Sequence, residues 1–175
     1  ESFYKRAREL FEQADLLLLS GGSSVGTRDY TEQVMQSLGE PGVLVHGVSI
    51  KPGKPTILAK AQGKPVMGLP GHPVSALIVF HLFAAPLIAR LQGETGEPVD
   101  RRVTARISRN IPSAVGRSDY IRVKLEERSD GWWAVPVFGK SGLISTLVKS
   151  DGMIEIAANK EGILEGEFVR VHLFG

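Results

Sequence analysis

Residues 15–30 read DLLLLSGGSSVGTRDY, Asp15 to Tyr30. Leu16 to Leu19 are a short unbroken apolar run, the pattern of a parallel strand buried on both faces. The chain leaves that run through Gly21, Gly22 and Gly26, with Ser20, Ser23 and Ser24 among them, which is more than a simple turn requires. The segment TEQVMQSLG then predicts a helix stopped by Gly39. Strand, glycine loop and helix in that order open an α/β layer. The loop itself has two readings. It is a tight turn with Asp29 as helix cap, or it is an anion cradle whose amides and hydroxyls meet a phosphate at a helix N-terminus. In the second reading Arg28 pairs with the phosphate, or Asp29 holds a divalent cation through a hard oxygen. The loop is neither a Walker A nor a GxGxxG pattern, so it does not imply ATP or NAD.

The flanking sequence extends the α/β pattern. Residues 1–14 predict an amphipathic helix, with Phe3, Ala7, Leu10, Phe11 and Ala14 at three- and four-residue spacing. VLVHGVSI (43–50), TILAK and Val66–Leu69 predict strands, separated by the KPGKP loop and a tight turn. The apolar stretch from Val74 to Leu91 predicts a buried helix; its length invites a membrane reading, but Ser75, His81 and Pro86 interrupt it. The expectation is a doubly wound α/β sheet, incomplete because the chain opens on a crossover helix with no strand before it. The chain is therefore expected to be the C-terminal piece of a longer protein. If the strands are parallel neighbours, the loops at 20–30, 51–55 and 70–75 line one edge of the sheet.

GETGEPVD (93–100) has linker composition, and beyond it the pattern changes. RRVTARI, DYIRVKLE, WWAVPVF, GMIEIAA and EFVRVHLF are short β-formers separated by turns, which predicts a small all-β barrel. The expected domains are an α/β part at 1–94, a linker at 95–99 and a β-barrel at 100–175.

Composition removes several classes of function. There is no cysteine, which excludes disulfides, thiolate zinc sites and cysteine nucleophiles, and is compatible with the cytoplasm. A net charge of +2 gives little support to a nucleic-acid partner. The start ESFYKRARELF has no signal-peptide pattern. HExxH and EF-hand patterns are absent. KPGKP sets Lys51 and Lys54 on a stiff turn, either as two compact charges for a small oxyanion or as solvated surface lysines. GLPGHPVS offers the Gly71 amide, Ser75 near a helix start, and His72, more simply read as a surface or packed residue.

SGGSSVG..DY, IKPGKP, GLPGHPVSA, GRSDYIRV and GKSGLIS occur in the order seen in the molybdopterin molybdenumtransferases, and the chain resembles that family (bacterial MoeA, the E domain of gephyrin) over nearly its whole length. The resemblance implies insertion of molybdate into adenylylated molybdopterin with release of AMP, the last step of molybdenum cofactor assembly, assisted by Mg²⁺. It implies a homodimer whose active site is shared between subunits; from composition and the helix reading the expected location is cytoplasmic, with no nucleic-acid or membrane partner. By motif, Ser20, Gly21, Gly22, Ser24 and Asp29 belong to the pterin–nucleotide and metal region, with Asp29 on the metal. Lys51, Lys54 and Ser75 come near molybdate, with the two lysines and Asp29 as catalytic candidates. Arg117, Arg122, Ser141 and Ser145 are candidates to reach the site from the β domain. The family pattern has Asn where this chain has His72, a larger side chain that can carry charge. The family's full chain also has two N-terminal domains and the first half of the α/β domain, so this chain alone is expected to be inactive. Two alternatives stand beside this reading: a molybdopterin adenylyltransferase, against which residues 100–175 argue, and a gephyrin-like peptide-binding scaffold presenting Trp132 and Trp133.

Overall fold

The structure is a computed structural model that describes residues 2–21, 28–96, 101–139 and 144–174. The chain divides into two compact units. One holds the described residues up to Val48 and from Gly53 to Gly96, and the other holds Ser49–Pro52 and the described residues beyond position 100.

In the first unit α1 (Ser2–Gln13), β1 (Leu17–Ser20), α2 (Arg28–Ser37), β2 (Pro41–His46), β4 (Ile57–Ala61) and β5 (Lys64–Leu69) precede a long helix. The sheet order is β1-β5-β4-β2. Leu17 and Leu19 of β1, Ile57, Ala59 and Ala61 of β4 and Val66 of β5 share one face of the pleat, and they pack with Ala7 and Phe11 of α1 and Val34, Met35 and Leu38 of α2. Helix ends are tied by basic side chains: Lys64 Nζ donates to the Phe11 and Glu12 carbonyls at 3.2 Å, and Arg8 donates to the Ser37 carbonyl at 3.0 Å.

The long helix runs from Pro73 to Leu91 as α3 (Pro73–Val79), a π-helical turn (Phe80–Ala84) and α4 (Ala85–Leu91). Pro86 explains the wide turn. Its ring removes one donor and crowds the carbonyl four residues back, and the π-turn widens the ladder there, with the Ala85 amide bonded to Phe80. The expectation of a buried helix holds only for the first half. Val74, Ser75, Ile78 and Val79 are buried, α4 buries none of its residues, and only 28% of the most apolar window is covered.

The sheet is mixed rather than parallel throughout. β1 and β5 are parallel neighbours, whereas β4 runs antiparallel to both β5 and β2. The ends of these strands still share an edge, for a different reason from the one expected. Ser20 pairs with Leu69, Ile57 pairs with Gly68, and His46 pairs with Ile57, so β1, β2 and β5 all end where β4 begins.

The strand expected over 43–50 is broken. β2 stops at His46, the chain turns at Gly47, and β3 (Ile50–Lys51) joins the second unit by pairing in parallel with Ser118 and Asp119. The second unit also contains β6 (Arg102–Ile107), β7 (Ile111–Pro112), β8 (Ser118–Arg128), β9 (Gly131–Pro136), α5 (Ile144–Val148), β10 (Gly152–Ile156), β11 (Gly162–Ile163) and β12 (Phe168–Leu173). The order β10-β12-β6-β9-β8 closes through the β10–β8 pairing into a five-stranded barrel. Its interior is aliphatic, with Ala105, Ile107, Val123, Ala134, Ile154, Ile156 and Val171 almost completely covered. The two-stranded β7–β11 ribbon supplies Ile111 and Ile163 to the same core.

Candidate functional site

The edge of the first sheet gathers part of the expected site. Ser20 closes β1 beside Leu69. Gly21 is exposed with φ +108, so its conformation needs glycine, and a Cβ there would meet nothing within 4 Å among the described residues. Gly22 and Ser24 lie outside the described residues, and so does the side chain of Asp29, whose backbone is in the first turn of α2. Lys54 is exposed on a turn fastened by its neighbours: Gly53's carbonyl accepts from the Thr56 amide at 3.1 Å and the Thr56 hydroxyl at 2.7 Å, and Lys54's own carbonyl accepts from Val48 at 3.0 Å. Ser75 is buried in the first turn of α3.

His72 is the N-cap of α3, with extended φ −80 and ψ 127 and no side-chain cap hydrogen bond. Its carbonyl accepts from Ala76, but its imidazole leaves the first-turn amides to others. An asparagine at this position would cap them. His72→Asn is therefore expected to raise stability by about 1 kcal/mol, measured as a shift of the urea midpoint at constant slope. An unchanged midpoint would mean that the cap contributes nothing here.

Lys51 belongs to the barrel unit instead. Its peptide bond to Pro52 is cis, and its backbone is fixed by the register Lys51↔Asp119, with the Ser118 amide bonded to the Ser49 carbonyl at 3.0 Å. A cleft of about 480 Å³ opens there, lined by Lys51, Pro52, Asp119, Arg122, Phe138 and Gly139 among others. Its aliphatic wall comes from Ile111, Pro112, Ile121 and Val137.

Asp119 is buried to 3% exposure. Its Oδ1 accepts from Arg117 Nε at 2.8 Å, and its Oδ2 lies 3.9 Å from Lys51 Nζ. Arg122 is buried to 7% exposure and donates from Nη2 to the Val137 and Gly139 carbonyls, both at 3.3 Å. Its Nε is buried and has no acceptor among the described residues. Burial pushes the guanidinium pKa down from its usual range, yet arginine stays charged, so a cation is held in a largely apolar wall. Tyr120, beside it on β8, is pushed up to about 12 by burial and then by the Glu155 carboxylate that accepts its proton in a hydrogen bond. It is a neutral phenol at any working pH.

The remaining expected residues fall as follows. Arg117 is half-exposed against Asp119, Ser141 lies outside the described residues, and Ser145 is exposed in α5. Asp119 was not expected. The signal was present in GRSDYIRV, where charged residues occupy a strand that is otherwise apolar. Among the described residues no group of three or more His, Asp or Glu could hold a metal ion, so they form no complete metal cage.

Residues 1–90 match the family model "Probable molybdopterin binding domain". Residues 104–174 match the "MoeA C-terminal region (domain IV)". The chain belongs to the MoeA family. It is 37% identical over 164 residues to a molybdopterin molybdenumtransferase of Haemophilus influenzae, covering 93% of this chain and 40% of that protein. It is 34% identical over 152 residues to the molybdenum cofactor synthesis protein cinnamon of Drosophila melanogaster, covering 86% and 25%. The crystal structure of a molybdopterin biosynthesis MoeA protein from Pyrococcus horikosii superposes with a TM-score of 0.83 at 38% identity, over 100% of this chain and 41% of that one. The chain thus spans at most about two fifths of the length of these relatives. Asp119 and Arg122 of the cleft lie in the segment matched to the MoeA C-terminal region, whereas Lys51, Lys54, Ser20, Gly21 and Ser75 lie in residues 1–90.

Proposed function

We propose that the protein inserts molybdate into adenylylated molybdopterin and releases AMP, the last step of molybdenum cofactor synthesis, and that the barrel cleft receives the molybdate. One observation carries the assignment: Arg122 is a buried cation whose Nε has no acceptor among the described residues, in a cleft that also holds Lys51. A buried donor without an acceptor costs about 1–3 kcal/mol, and an oxyanion in the cleft would remove that cost. A tetrahedral dianion meets both needs, because Lys51 supplies a compact point charge and Arg122 a fixed donor. At the sheet edge, Gly21's exposed backbone and Lys54 would bind the phosphates of the nucleotide, and Ser75 would contribute a hydroxyl. Magnesium would be held through Asp29 together with substrate phosphates, since that ion often uses only one or two protein carboxylates. A cytoplasmic homodimer sharing the site between subunits is part of the same proposal.

The similarity of residues 104–174 to the MoeA C-terminal region supports the transferase over the adenylyltransferase, which lacks that barrel. The scaffold reading gains nothing from the tryptophans. Trp132 and Trp133 point to opposite faces of β9, and Arg128 covers the Trp133 ring at 4.4 Å.

In the full-length protein, AMP release from adenylylated molybdopterin should depend on added molybdate. It should fall about tenfold or more in Lys51→Ala and in Lys54→Ala, as expected for loss of a charge-assisted contact. Release that proceeds equally without molybdate, or unchanged release in both variants, overturns the assignment.

A further inference from the structure

We propose that Asp119 sets the charge preference of the barrel cleft, weakening its hold on an oxyanion in proportion to the anion's charge. The inference rests on the oxyanion reading of that cleft. Asp119 lines the cleft, whereas Arg117, the partner of its carboxylate at 2.8 Å, is not among the lining residues. The pair therefore turns its negative end toward the ligand. Its two charges are not felt equally. The carboxylate is 4% exposed and acts through a poorly screening surrounding, while the Arg117 side chain is 40% exposed and is screened by water. Asp119 also stands 3.9 Å from Lys51 Nζ, so it competes with the ligand for that ammonium.

A carboxylate facing an anion opposes binding, and such opposition is useful in a transferase. Holding the oxyanion more tightly before reaction would deepen the ground state without helping the transition state. Asp119 is thus a specificity-determining and attenuating residue, in a cleft where Lys51 and Arg122 supply the attraction.

The test compares two tetrahedral oxyanions of similar size, molybdate with two charges and perrhenate with one, by equilibrium dialysis at neutral pH. Asp119→Asn keeps the shape and the acceptor for Arg117 but removes the charge. It is expected to tighten molybdate about tenfold and perrhenate about threefold, because a change in potential acts on each ligand charge separately. Arg117→Gln, which keeps an N–H donor for Asp119 and removes the positive charge, should weaken both anions with the same two-to-one ratio in the logarithms. Unchanged affinities, equal changes for the two anions, or weaker molybdate binding in Asp119→Asn would each overturn the proposal. A wild-type protein that takes up neither anion, or an Arg122→Met variant that binds as well as wild type, would instead remove the oxyanion reading beneath it.

Discussion

Arg122→Met is expected to weaken molybdate binding by about tenfold to a hundredfold while leaving the melting temperature unchanged or higher, because charge-assisted contacts supply about 1.5–3 kcal/mol. The two effects have one origin. The guanidinium is 7% exposed and has no carboxylate partner among the described residues, only the Val137 and Gly139 carbonyls. A buried charge without an opposite partner is a stability cost, and replacing it by an apolar chain of similar length commonly removes that cost. The carbonyls left behind lose little, since carbonyl oxygens are more often under-satisfied than amides are. A residue retained for structure would show the opposite pattern, with lost stability and unchanged binding. Calorimetric titration and thermal melting of the same variant separate the two.

Gly152→Ala should unfold the barrel at a much lower temperature. Gly152 sits where β10 meets both partners, paired with Val123 of β8 and Leu173 of β12. A Cβ there would run into the His172 carbonyl, with Val171 Cγ1 at 2.9 Å and the His172 carbonyl carbon at 3.0 Å. The obstacle is chiefly backbone within the ladder, which cannot swing aside as a flexible side chain would. The neighbouring bonds leave little slack, with Asp151's amide on the Val123 carbonyl at 2.9 Å and its carboxylate accepting from Leu125 at 2.7 Å. The expected loss is about 3 kcal/mol or more. For a unit of this size that corresponds to roughly 10–20 °C in melting temperature. Gly96→Ala is the control, because its Cβ would meet nothing within 4 Å among the described residues. Equal midpoints in the two variants would contradict the account of closure.

Much of this was legible from short patterns. The Leu16–Leu19 run and the spacing of Ala7 and Phe11 each report a local preference, and β1 and α1 follow. The β-rich segments after position 100 likewise become a barrel. Three features were not legible, each set by residues far apart in the chain. The KPGKP motif looks like one turn, yet Lys51 pairs with Asp119 in the barrel unit while Lys54 belongs to the α/β unit. A two-residue strand carries too little periodicity to reveal its partner. The reversed direction of β4 is equally hidden, since an apolar strand has the same sequence pattern in either orientation. Arg122 was recognised as a candidate, but its burial and its bonds to the Val137 and Gly139 carbonyls are contacts between distant parts of the chain, which no local pattern encodes.

The most direct test of the central claim is a crystal structure with tungstate, a tetrahedral dianion whose tungsten gives an anomalous signal. The account predicts a peak in the barrel cleft, with oxyanion oxygens within hydrogen-bond distance of Arg122 Nε and Lys51 Nζ. A cleft without a peak, in crystals that bind tungstate elsewhere on the protein, would contradict it.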